Sequence, residues 1–97
     1  MFNFNNTYNY DSTDTTMDFD TLQKARHDLI GELQAVIAYD EHIRSTNDKT
    51  AKATWNSIKN EELVHVGELL GLLNYLDPSQ KQFIQKGLVE FSTKLKQ

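Results

Sequence analysis

The chain has 97 residues, a formal net charge of -4, and ten Lys and Arg scattered along it. That is room for one small domain, with no basic stripe to neutralise nucleic-acid phosphates. The absence of cysteine excludes disulfides, thiolate metal sites and a cysteine nucleophile, and no apolar run approaches the roughly 20 residues of a membrane span. One proline and four glycines argue for few turns and long helices, hence an all-α fold. A core of this size is marginal unless a metal or a second subunit adds to it, so oligomerisation is expected. The start of the chain has neither the basic nor the apolar region of a signal peptide, and a soluble cytoplasmic protein is expected.

Residues 1–17 are dominated by Asn, Thr, Asp and Ser without helical or strand periodicity, which predicts a flexible tail preceding a helical domain over 18–97. Their four aromatics, Phe2, Phe4, Tyr8 and Tyr10, leave open a docking peptide for another protein. A first helix is predicted over about 20–45, starting near Asp18 to Asp20, with Asp20 and Gln23 at capping-box spacing. Its inward stripe is read as Leu22, Leu29, Leu33, Val36, Ile37 and Ile43. Glu32 and Tyr39 lie within that stripe, two turns apart on one face.

Ser45-Thr46-Asn47-Asp48 supplies a short turn and an N-cap, so the second helix, over about 48–76, should fold back antiparallel to the first. Along it Trp55, Ile58, Glu62, His65, Leu69, Leu72 and Leu76 step by three and four, which puts Glu62 and His65 at core positions. Val66, Leu70 and Leu73 widen the apolar face to a width that suits more than one neighbour. Asp77-Pro78-Ser79-Gln80 marks a boundary, and a third helix over about 78–94 carries Phe83, Ile84, Leu88, Phe91 and Leu95 on one side. It should be shorter and less stable, packing on the hairpin or on a neighbouring subunit.

A carboxylate and an imidazole in a core seam call for a partner, since burying a charge alone is costly. Glu32, Glu62 and His65 are oxygen and imidazole donors of the kind that suits Fe, Mn or Zn. Dinuclear sites of four-helix bundles take one Glu from each of two helices and Glu-x-x-His from each of the other two, so this chain holds half of such a site. A two-fold dimer would complete it. Taken singly, each piece has a plainer reading: Glu-x-x-His as a surface charge pair, His65 as a hydrogen-bonded core histidine, and Tyr39 as a packed aromatic. Glu61, Glu68, Asp40, Glu41 and Glu90 fall off the seams and are read as solvated, and His27 and His42 as surface histidines without a role.

Glu32-Leu33-x-Ala35-Val36-x-x-Tyr39-Asp40, followed by Asn60-Glu61-Glu62-x-x-His65, resembles the encapsulated ferritins, half-ferritins of the ferritin-like superfamily, over about residues 20–76. The resemblance implies a two-helix hairpin with a C-terminal helix that dimerises into a ferritin-like four-helix bundle, the dimers joining into an annular homodecamer. It also implies a ferroxidase that oxidises Fe(II) to Fe(III) with oxygen at a di-iron centre across the dimer interface, two iron ions per dimer. Iron would pass to storage inside an encapsulin nanocompartment, with the shell protein as partner. Carried over, Glu32, Glu62 and His65 are iron ligands and Tyr39 a catalytic neighbour that hydrogen-bonds to the centre.

Two departures stand out. Gly31 and Gln34 occupy positions where the family often has further acidic residues that attract metal, so access of metal to the site should differ. Phe91-Ser92-Thr93-Lys94-Leu95-Lys96-Gln97 has no Gly-Ser-Leu targeting motif, which leaves the shell partner open. Two alternatives stand beside the ferroxidase: a non-catalytic, metal-stapled helical interaction module, and a di-manganese enzyme that consumes peroxide.

Overall fold

Three aspartates begin the three helices. In a computed structural model that describes residues 18–97, Asp18 caps α1 (Phe19–Arg44), Asp48 caps α2 (Lys49–Leu76) and Asp77 caps α3 (Pro78–Leu95). Each side chain accepts a hydrogen bond from the backbone N–H three residues on, Thr21, Ala51 and Gln80 respectively, at 2.9 to 3.1 Å. The first cap is therefore Asp18 and not Asp20. Thr21 donates its hydroxyl to the other Asp18 oxygen at 2.6 Å, an anchorage that the Asp20–Gln23 spacing does not reveal. The tail expected over 1–17, with its aromatics, lies outside the described residues.

Among the described residues there is no strand. The contacts between α1 and α2 run in opposite sequence directions: Leu22 and Ala25 meet Leu73, Glu32 meets His65, Asp40 meets Lys59, and His42 meets Trp55. That order makes an antiparallel hairpin, as the short turn predicts. Asp40 is thus not simply solvated, because the Lys59 ammonium lies 3.0 Å from its carboxylate.

The hairpin buries little. Leu22, Ala25 and Leu73 form the core, with Leu29 and Leu76 packed against it, all at the end nearest α3. Leu33 and Ile37, expected to point inward, are 45% and 59% exposed. With Ile30 they form an exposed stripe on α1, because one partner helix covers only part of so wide an apolar face. Leu70 and Leu72 of α2 are also exposed, and α3 buries no residue at all. No described helix is long and apolar enough to cross a membrane.

Candidate metal centre

Halfway along the hairpin, the polar residues of the two seams meet. Glu32 faces α2 from α1, between Leu29 and Val36 in its stripe, and Glu62 and His65 come from adjacent turns of α2. His65 Nδ1 lies 3.4 Å from Glu32 Oε1 and 3.9 Å from Glu62 Oε1. One donor atom from each residue fits within a span of 4.8 Å, a spacing that one cation can bridge. Both glutamates are mostly buried, while the imidazole is half exposed.

The electrostatics of the three groups favour a cation. Glu62 holds its proton above the usual glutamate range because the protonated form can hydrogen-bond to the Glu32 carboxylate. Burial and repulsion from Glu32 push in the same direction, and His65 pulls against them. Glu32 Oε2 is buried without a hydrogen-bond partner, a state that ordinarily costs about 1–3 kcal/mol. An unpartnered carboxylate oxygen, a second carboxyl group beside it, and an imidazole nitrogen within 4 Å form a donor set that fits a divalent first-row metal.

The three residues line an open cavity of about 620 Å³. His27, Asp28, Gly31, Glu68 and Leu69 complete its lining. Sequence reasoning left His27 and Glu68 as surface groups. For Glu68, and for Asp28 beside His27, the signal was available in the spacing: Asp28 is four residues before Glu32, and Glu68 three after His65, so each stands one turn from a residue of the cluster.

Tyr39 stands two turns from Glu32, about 10 Å along the helix axis. Its ring meets His42 edge-on at 6.1 Å between centroids, and His42 in turn meets Trp55 at 5.0 Å. His42, read as a surface histidine, thus joins the two helices near the turn, although its side chain remains exposed.

No known protein-family profile matches the chain. Over 62 residues, 64% of its length, the chain is 34% identical to a ferritin-like–encapsulin shell fusion protein of Pyrococcus furiosus, and it spans 18% of that relative. Its fold is similar to the crystal structure of an encapsulated ferritin domain from the same organism, with a TM-score of 0.72 and 29% identity. That likeness covers 93% of this chain and 89% of the other.

Proposed function

From its likeness to an encapsulated ferritin domain, we propose that this chain is a ferroxidase subunit. Two copies would bring two sets of Glu32, Glu62 and His65 together to bind a pair of iron ions, as the bundle sites of this type require. The observation that carries this reading is the half-site itself: two carboxylates and an imidazole within 4.8 Å, with one buried glutamate oxygen lacking a partner. Fe(II) would be the substrate, each of two ions losing one electron, and O2 would take up that pair with two protons and leave as hydrogen peroxide.

The side chains prepare that step. With a cation bound, Glu62 would serve as a carboxylate ligand, and Glu32 Oε2 would gain the partner it lacks in the protein alone. His65 would supply an imidazole nitrogen. Within one chain Tyr39 packs on His42, about 10 Å along the axis from Glu32, and its assignment as a hydrogen-bonding neighbour of the centre rests on the resemblance alone. Dimers would join into an annular decamer, and the oxidised iron would be stored within an encapsulin shell. The relative in which a ferritin-like part and an encapsulin shell are fused supports that partner.

Aerobic addition of Fe(II) should raise a ferric absorbance rapidly in the parent protein and at the uncatalysed rate in Glu62→Ala and His65→Ala. Unchanged rates in both variants would refute the assignment. The same donor set accepts manganese, so metal content after aerobic purification separates iron oxidation from peroxide consumption.

A further inference from the structure

Helix α3 joins the hairpin through one residue, Asp77, which ends α2 by donating its N–H to Leu73 O and begins α3 by accepting from Gln80 N. Rotation about the two backbone torsions of a single junction residue would let an otherwise exposed helix swing. A second tie comes from α1. Arg26 donates from Nε and Nη2 to Gln80 Oε1 at 3.0 and 2.6 Å, and from Nη1 to Gln23 Oε1 at 2.8 Å, while Nη2 lies 3.7 Å from Asp77 Oδ2.

Gln80 sits where a capping box would turn its side chain back to the Asp77 N–H. Asp77 N–H is engaged by Leu73 instead, and the Gln80 side-chain oxygen is given to a residue 54 positions away. Asp77 is also the one buried charged residue among the described residues, and a buried carboxylate needs a cation near it. The planar fork of a guanidinium can address its own helix, the junction and the next helix together, which a lysine ammonium cannot do with the same fixed geometry.

We propose that Arg26 is a latch that fixes the angle at which α3 leaves the hairpin. It thereby sets where the exposed stripe of Ile84, Leu88, Phe91 and Leu95 lies relative to the pocket of Glu32, Glu62 and His65. The latch is independent of any metal chemistry, so it stands or falls apart from the ferroxidase reading.

The chain has no cysteine, so spin labels can be placed without background. Lys52→Cys with Ser92→Cys reports the angle between α2 and α3, and Lys24→Cys with Lys52→Cys reports the hairpin alone. Labelled chains are diluted with unlabelled protein so that only distances within one chain are read by double electron–electron resonance. The expected result is a single narrow distance for the α2–α3 pair that broadens in Arg26→Met, with the hairpin pair unchanged. Gln80→Met, which leaves Arg26 facing Asp77 and Gln23, should broaden the α2–α3 distance and replaces Arg26→Met if that variant does not fold. A broad α2–α3 distance in the parent, an unchanged one in the variants, or equal broadening of the hairpin pair overturns the latch.

Discussion

A glutamate that keeps its proton above the ordinary range makes the metal-free fold respond to pH in a definite direction. Well below the ordinary glutamate pKa, Glu62 is protonated in both the folded and the unfolded chain. Between the ordinary value and the raised one, the folded chain binds more protons than the unfolded, so stability falls as pH rises through that window. Above the raised value this contribution levels off. Thermal unfolding in chelator should therefore show a melting temperature that declines across the window, and Glu62→Gln should flatten the decline by removing the titrating group. Cation binding has the opposite slope, because Glu62 must release its proton to act as a ligand, so apparent metal affinity should rise with pH over the same window. A variant that keeps the full decline would mean that another group carries it.

At the scale of the helices, stability is concentrated at one end of the hairpin. Leu22, Ala25 and Leu73 are nearly inaccessible, whereas Val64 of α2 is 63% exposed. Leu73→Ala should lower unfolding stability by about 2–5 kcal/mol, and Val64→Ala should change it by less than about 0.5 kcal/mol, both read from chemical denaturation at a concentration where the protein is monomeric. A large loss in Val64→Ala at higher concentration would place that face in contact with another copy. Much of this architecture is legible beforehand, because its determinants are local. Asp48 and Asp77 lie directly before their helices, Pro78 stands at a first helical position, and Glu62 and His65 interrupt an apolar stripe at helical spacing. What escapes a reading of the chain is how far one neighbour covers a wide stripe. Leu33 and Ile37 have the period of core residues, and periodicity does not say which helix, if any, lies over them. The Arg26–Gln80 contact escapes for a different reason: hydrogen bonding between residues 54 apart leaves no pattern in the intervening sequence.

For the whole molecule, the proposed half-site would tie metal to assembly. One chain contributes two carboxylates and one imidazole, and a two-fold pair would contribute four carboxylates and two imidazoles around the same axis. Without a cation those carboxylates would repel one another across such an interface, as Glu32 and Glu62 already do within one chain. A cation that binds the completed site and not the separate chain must then tighten dimerisation. At free metal about 100 times the dissociation constant, the gain is about 2.7 kcal/mol, or roughly a hundredfold in the dimer constant, for each site filled. Native mass measured over a dilution series should show the dimer persisting to lower concentration with divalent metal than with chelator. Metal should be bound as one pair per dimer, and Glu62→Ala should dimerise equally under both conditions. A parent dimer indifferent to chelator would favour a helical interaction module, in which the exposed apolar faces hold the copies together and the carboxylates play no part.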